Sequence, residues 1–257
     1  MTGISAKKVM ELRKKTGVSM MVCKSALLEA NGDEKKAIEI LRKKGISKAD
    51  SKSTRETREG AVAVSGKTAL MLLCETDFVA RNEEFLSFLQ KLTELASQNP
   101  MEAEKNFENM RPELIAKLGE NLKIGGIYSV SAGEKFGKYI HSNKKIAVVV
   151  GITGGNDEIA KDVAMHIAAS NPKNISPDDV PLEVITKEKE FWKNELKDSG
   201  KPREVLEKIF IGKEKKFREE NALLTQKFLK NSDISVGKFL DNNSAKINDF
   251  IRIEIWY

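Results

Sequence analysis

The spacing of apolar and polar residues over the first 45 positions predicts three short helices. The first helix carries Val9 and Leu12 on one face. Ser5 can cap its start, and Gly17 can end it. The apolar positions of the other two helices keep the helical i, i+3 and i+4 spacing, at Cys23, Ala26, Leu27 and Ala30 and at Ala37, Ile38 and Leu41.

Capping residues mark the ends of the second and third helices. Ser19 and Asp33 can cap their starts. Gly32 and Gly45 can end them. A three-helix unit of this size buries only a small core. Its function is therefore more easily explained by docking on a partner than by catalysis. We therefore predict a docking module over residues 1–46.

A polar linker over residues 47–59 is followed by a pattern of strand, turn, strand, loop and helix that occurs twice. These five elements lie at 60–64, 65–67, 69–74, 75–81 and from Asn82 onward in the first copy, and at 136–140, 141–144, 145–150, 151–156 and from 157 onward in the second. Helices that follow hairpins in this way pack on one face of an antiparallel sheet, so the predicted fold class is α+β. The two copies predict a duplicated core, with subdomains at 60–126 and 127–180.

A long charged segment over residues 181–225 predicts a helical hairpin that projects from the core. The apolar positions that mark its two arms are Val184, Phe191 and Leu196, and Val205, Ile209 and Phe217. The Ser-Gly-Lys-Pro sequence at 199–202 predicts the turn between the arms. Residues 226–257 return to an apolar pattern, and we expect this short C-terminal segment to complete the core.

The charge balance makes nucleic-acid binding a possible but not a preferred function. The 257 residues contain 44 Lys and Arg against 38 Asp and Glu, which gives a net charge of +6. Acidic and basic residues are interspersed, which is typical of a solvated surface, and aromatic residues, which stack on single-stranded bases, make up only 6%. We expect no direct nucleic-acid binding, and a basic RNA-binding or ribosome-associated protein stays open as the alternative.

Cysteine usage and hydropathy predict a cytoplasmic protein. Cys23 and Cys74 lie far apart among apolar residues, which is typical of buried thiols in a reducing compartment. Residues 1–8 contain no apolar stretch of the kind found in signal peptides. The longest apolar run, at 146–152, fits a buried strand and is too short to cross a membrane.

One sequence resembles part of a phosphate-binding loop. Gly66-Lys67-Thr68 ends such a motif, but Ala61 occupies the position where the motif requires its first glycine. The sequence also lies in a predicted hairpin turn, so it lacks the following helix whose N–H groups would hold phosphate. We interpret it as a turn.

Other catalytic or metal-binding patterns are also absent from the sequence. His141 and His166 have no second ligand at metal-binding spacing, and His166 has the sequence context of a packed histidine. Neither cysteine has a histidine nearby in sequence that could activate it. We predict a binding protein that has no catalytic site, cofactor or metal of its own.

The residues at 74–82, Cys-Glu-Thr-Asp-Phe-Val-Ala-Arg-Asn, leave a predicted strand and enter a predicted helix. A purely structural interpretation makes Phe78 a core aromatic and Asp77 a helix cap. A functional interpretation makes both residues part of a contact surface.

Taken with several other segments, this loop resembles the elongation factor Ts family. The matching segments follow one another in order over nearly the whole chain, at 11–17, 20–27, 29–33, 37–38, 41–45, 74–82, 119–121, 164–172, 199–202 and 250–252. The N-terminal block and the Thr-Asp-Phe-Val sequence are specific in combination. The resemblance favours the functional interpretation of the loop.

The resemblance implies a guanine-nucleotide exchange factor for the GTPase elongation factor Tu. The N-terminal module would be UBA-like and would dock on the GTPase domain through Val9, Leu12, Met20 and Met21. The flexible side chain of methionine suits such an adaptable surface. The second β-β-α unit and the helical hairpin would contact the partner's other domains.

The resemblance also implies a role for the loop Thr76, Asp77, Phe78 and Val79. This loop would disturb the magnesium and phosphate end of the partner's nucleotide site. Phe78 would wedge between helices of the partner, and Asp77 would lie beside it.

The sequence departs from the family pattern in three places. After Gly-Glu-Asn, the usual basic residues give way to Lys123-Ile124 and two glycines. The glycine-rich turn of the second copy is Ser142-Asn143-Lys144 instead. The third departure is the end at Tyr257, where many relatives continue into a further helix, and it leaves the effect on the C-terminal contact open.

Overall fold

A computed structural model describes residues 4–197, Gly200 and residues 202–256. The chain forms two compact units. The first comprises the described residues of Met1–Tyr128, Ser142–Ile146 and Ile253–Tyr257, and the second comprises those of Ser129–His141 and Ala147–Arg252. The α-helices are α1 (Ala6–Thr16), α2 (Met20–Glu29), α3 (Glu34–Lys52), α4 (Asp77–Ala80), α5 (Glu83–Gln98), α6 (Pro100–Leu118), α7 (Asp157–Ser170), α8 (Leu182–Leu196), α9 (Arg203–Glu220) and α10 (Val236–Asn242).

The strands form small sheets, which confirms the predicted α+β class. Their bounds are β1 (Glu59–Ser65), β2 (Thr68–Cys74), β3 (Lys123–Ser129), β4 (Lys135–Ile140), β5 (Ile146–Gly154), β6 (Lys227–Phe228), β7 (Asn231–Ser235) and β8 (Ala245–Glu254). One sheet has the order β1-β2-β3, another the order β4-β5-β8, and β6 pairs with β7. The hairpins β1–β2, β4–β5 and β6–β7 are antiparallel.

The first helices begin and end close to the predicted residues. The Ser5 side chain accepts a hydrogen bond from the Lys8 N–H at the start of α1, and Gly17 ends this helix in the left-handed conformation. Asp33 caps α3 in the same way by accepting from the Lys36 N–H. The three helices share a cluster of buried apolar residues: Val9, Leu12, Val18, Cys23, Ala26, Leu27, Ala30, Ala37 and Leu41.

The prediction that Gly45 ends the third helix is wrong, because α3 continues to Lys52. Gly45 instead lies where α3 packs on α6. A Cβ atom at this position would lie 3.0 Å from the Pro112 carbonyl oxygen. Glycine costs about 1 kcal/mol in a helix interior. Here the missing side chain allows the two helices to approach closely, and their packing compensates for the lower propensity.

The first sheet and its helices form the main core of the first unit. The hairpin β1–β2 pairs Ser65 with Thr68 across a tight turn, as predicted. Helix α5 begins after the Asn82 cap and packs Phe85, with 0% of its surface exposed, against this sheet. Phe85 and the buried strand residues therefore fix the position of the loop that connects β2 to α5.

The second unit contains the hairpin β4–β5 and helix α7. Strand β5 extends to Gly154, four residues beyond the predicted end at 150. Asn156 then caps α7 by accepting from the Ile159 N–H at 3.0 Å. Helix α7 packs against β4, where a Cβ atom at Gly137 would lie 2.1 Å from the Ala160 carbonyl oxygen.

The predicted helical hairpin is present as α8 and α9, but its buried face differs from the prediction. Ile185 and Trp192 are the buried residues of α8, whereas Val184 and Phe191 are exposed. The Trp192 ring lies edge-on to the Phe217 ring of α9, with 5.9 Å between the ring centroids. Two residues of the predicted turn at 199–202, Ser199 and Lys201, lie outside the described residues.

The close approach of β4 to α7 makes a stability prediction. We expect Gly137→Ala to lower the free energy of unfolding by about 1–3 kcal/mol, because the added methyl group overlaps the Ala160 backbone. Urea denaturation followed by circular dichroism measures the change. Gly212→Ala in α9 is the matched control, because its Cβ atom meets nothing within 4 Å. This second change should raise stability by about 0.5–1 kcal/mol, and equal effects of the two changes would contradict the proposed packing constraint.

Candidate partner-binding site

The loop between β2 and α5 contains a single helical turn, α4. Thr76 caps this turn, and its Oγ1 accepts a hydrogen bond from the Val79 N–H at 3.4 Å. The structural interpretation of Asp77 as the cap is therefore wrong, because Thr76 precedes the turn and has the extended backbone of a cap. Asp77 is the first residue of the turn instead.

The turn separates one exposed aromatic from the buried residues that follow it. Val79 and Ala80 pack into the main core of the first unit, and 9% or less of either residue is exposed. Phe78 lies between Asp77 and Val79 but is 83% exposed. The structural interpretation of Phe78 as a core aromatic is therefore wrong. A large apolar side chain held in solvent on an anchored turn is available for contact with a partner.

Asp77 lies on the same exposed turn. Its carboxylate forms an ion pair with the Arg81 guanidinium at 3.1 Å. Both side chains are substantially exposed, at 44% and 80%, and exposed pairs of this kind contribute less than about 1 kcal/mol. A partner can therefore replace this contact at little cost.

The backbone before the turn is held by the carboxylate of Glu120, in the connection from α6 to β3. Its Oε2 accepts from the Glu75 N–H at 3.0 Å and from the Thr76 N–H at 2.9 Å. Its Oε1 accepts from the Thr76 hydroxyl at 2.5 Å. Sequence reasoning included Glu120 only in a matching segment and missed this contact, because 44 residues separate it from Thr76 and no local pattern links them.

Cys74 lies beneath the loop, and its thiol is unreactive. Its Sγ donates to the Thr76 carbonyl oxygen at 3.2 Å. Burial raises the pKa of the Cys74 thiol to about 12, and the negative charges of Glu120 and Glu59 add to the shift. The thiol is therefore protonated at neutral pH and is a poor nucleophile.

The four residues predicted to dock in the N-terminal module differ in their exposure. Val9 and Leu12 are buried in the core shared by α1, α2 and α3. Met20 is half-buried beside this core, and Met21 is 74% exposed. Met20 also lines an open groove with the exposed Met10 of α1. The structure thus places Met20 and Met21 at a surface, with Val9 and Leu12 beneath it.

The other candidate residues have structural roles. Gly66 and Lys67 form the turn of the β1–β2 hairpin, which confirms the interpretation of the partial phosphate motif as a turn. His166 is packed as predicted: its Nδ1 accepts from the Leu229 N–H at 3.2 Å, and its Nε2 lies 3.0 Å from the Gln226 Oε1. Burial lowers the pKa of His166, so the imidazole is neutral at pH 7.

Among the described residues, no three His, Cys, Asp or Glu side chains are grouped so that they could hold a metal ion. Within the same ranges, no helix is long and apolar enough to cross a membrane.

Two comparisons with known proteins indicate the same family. The family model described as elongation factor TS matches residues 75–256. A curated protein named elongation factor Ts from Francisella tularensis subsp. novicida (strain U112) is 43% identical over 270 residues, covering 99% of this chain and 93% of the relative. Another of the same name, from Hahella chejuensis (strain KCTC 2396), is 42% identical over 266 residues with the same coverage.

The exposure of Phe78 makes a direct stability prediction. We expect Phe78→Ala to leave the melting temperature nearly unchanged, because the ring makes little contact with the core. Phe85→Ala is the matched control and should cost about 3–5 kcal/mol, because it leaves a cavity in the core. Thermal unfolding followed by circular dichroism compares the two. Early melting of Phe78→Ala would show that the ring supports the fold.

Proposed function

The chain belongs to the elongation factor Ts family of translation elongation factors, and we propose that it promotes GDP release from elongation factor Tu. The single observation that best supports this proposal is the 83% exposure of Phe78 on a turn whose next two residues are buried. Such a ring can enter a partner without unfolding its own protein. The chain would act by binding and would have no catalytic site of its own.

An exchange factor must bind its nucleotide-free partner more tightly than its GDP-bound partner. By thermodynamic linkage, the factor then weakens GDP binding by the same ratio as GDP weakens binding of the factor. Phe78 can supply this difference if the pocket that receives the ring opens only when the magnesium and phosphate contacts are broken. Insertion of the ring into that pocket would then favour the nucleotide-free state.

The other residues of the loop would help to displace the magnesium ion of the partner. A bound magnesium ion neutralises phosphate charge, so its displacement loosens GDP. Asp77 lies beside Phe78, and its carboxylate pairs with the exposed Arg81. We propose that Thr76 and Val79 fix the turn, Phe78 wedges into the partner, and Asp77 exchanges its ion pair for contacts with the partner.

The N-terminal module would provide a second contact, on the partner's GTPase domain. Met21 and Met20 would make this contact directly, while Val9 and Leu12 would support them from the core of the module. Residues 1–46 contain eleven Lys and Arg but only five Asp and Glu. This local excess of positive charge would favour an acidic partner surface and accelerate association at low salt.

Other parts of the predicted organisation stay proposals. These are the UBA-like nature of the first module, the duplication of the β-β-α units and the predicted domain boundaries. We also propose that the second β-β-α unit and the helical hairpin contact the partner's other domains. The exposed Phe191 of α8 and Ile211 of α9 support this role for the hairpin, because each is at least 66% exposed.

The wedge predicts a large kinetic effect of Phe78→Ala. Truncating a central interface aromatic costs about 2 kcal/mol or more. If the whole loss falls on the step that releases GDP, the rate should fall roughly thirtyfold. Release of fluorescent GDP from elongation factor Tu at saturating factor measures this rate. A parental release rate with a normal melting temperature would exclude the wedge.

The docking role of the N-terminal module predicts a weaker complex for Met21→Ala. Loss of an exposed apolar side chain from an interface should reduce affinity for nucleotide-free elongation factor Tu by roughly fivefold to tenfold. Met101→Ala is the matched control, because Met101 is 80% exposed in α6 and the resemblance gives it no role. Isothermal titration calorimetry measures both, and equal affinities would contradict docking through Met21.

A further inference from the structure

The direction of the Phe78 side chain is set by the backbone of its turn. The ring is 83% exposed, so packing within the protein cannot hold it. Helix α4 has only four residues and makes few hydrogen bonds of its own, so a turn of this length is not stable without outside support. The contacts on either side of the turn must therefore hold it in one conformation.

On the C-terminal side, this support is apolar. Val79 and Ala80 pack into the core beside Phe85. On the N-terminal side it is polar, and the Glu120 carboxylate provides it. This one side chain accepts from two successive backbone N–H groups, those of Glu75 and Thr76, and from the Thr76 hydroxyl.

The Thr76 hydroxyl links Glu120 to the turn by two hydrogen bonds. Its Oγ1 donates to Glu120 and accepts from the Val79 N–H. Because the hydroxyl donates its hydrogen bond to Glu120, a lone pair of its oxygen is left to accept from the Val79 N–H and cap the helical turn. Phe78 lies between the two residues that this hydrogen-bond chain joins.

The chain segment that carries Glu120 is held by the hydrogen bonds of its neighbour, Asn121. The Asn121 N–H donates to the Glu75 Oε1 at 2.6 Å, so the two chain segments are bonded in both directions. The Asn121 side chain is buried, donates to the Arg55 carbonyl oxygen at 2.9 Å and accepts from the Arg111 Nη2 at 3.0 Å. The carboxylate thus has a fixed position from which to order the loop.

We propose that Glu120 is a positioning residue for nucleotide exchange, which orders the 76–79 turn so that Phe78 meets the partner in its bound orientation. The inference rests on the proposed function of the loop. It adds a residue that is distant from Phe78 in the sequence and acts through Thr76 without touching the partner's nucleotide site.

Substitutions of Glu120 test this role in the full-length chain. Glu120→Ala removes all three acceptor contacts and should lower the maximal rate of GDP release roughly tenfold, because the turn must then be ordered during binding. Glu120→Gln should stay within about threefold of the parental rate. Its amide oxygen can still accept from both backbone N–H groups, and its NH₂ group can donate to the Thr76 oxygen, which has a second lone pair available.

A spectroscopic reporter separates positioning from general destabilisation. Phe78→Trp, made in a chain whose Trp192 and Trp256 are replaced by Phe, places the single indole of the chain on the turn, and its fluorescence anisotropy reports local mobility in the free factor. Adding Glu120→Ala should lower this anisotropy, whereas adding Glu120→Gln should not. Unchanged anisotropy, or equally slow exchange by the Ala and Gln variants, would overturn the inference.

A double-mutant cycle distinguishes failure of the inference from failure of the proposed function. If Glu120 acts through Phe78, adding Glu120→Ala to Phe78→Ala should slow exchange by less than about twofold further. A further tenfold loss would show that Glu120 acts elsewhere and would overturn the inference. Should Phe78→Ala exchange at the parental rate, the proposed wedge role of the loop fails, and the inference about Glu120 fails with it. Should Phe78→Ala be slow while Glu120→Ala is parental, only the inference fails.

Discussion

The bonding of the Glu120 carboxylate to the backbone before α4 is the interaction on which the candidate site depends. An exposed aromatic residue cannot be positioned by the hydrophobic effect, because burial of its own ring would remove it from the surface. Its position must come from the backbone. Here the N–H groups of Glu75 and Thr76 are held by one carboxylate, while Val79 anchors the other side of the turn in the core.

The same division between buried support and exposed contact occurs in the N-terminal module. Leu12 is fully buried and Met21 is 74% exposed, although the family resemblance implies a docking role for both. A truncation of Leu12 would lower the stability of the module, whereas a truncation of Met21 would remove only surface. Two residues with the same implied docking role can therefore contribute differently, one by stabilising the module and the other by contacting the partner.

The elements that local sequence determines could be predicted, and those that depend on tertiary contacts could not. Caps such as Ser5 and Asn82 act within one helical turn, so their positions follow from the sequence alone. The continuation of α3 through Gly45 depends on packing against α6, which no local pattern reveals. The loop residues of the site could be identified from the resemblance, but the exposure of Phe78 and its link to Glu120 required the folded chain.

Order in the free loop has an energetic consequence for exchange. Fixing the backbone of one residue costs about 1–2 kcal/mol, so ordering the four residues 76–79 only on binding would cost about 4–8 kcal/mol. A complex with micromolar affinity has a binding free energy of only about 8 kcal/mol. Because Glu120 and the core order this turn before the partner arrives, chiefly the two side-chain torsions of Phe78 remain to be fixed, at about 0.5–1.5 kcal/mol. In the proposed exchange mechanism, the binding free energy of the ring would then be available to open the nucleotide site instead of ordering the loop.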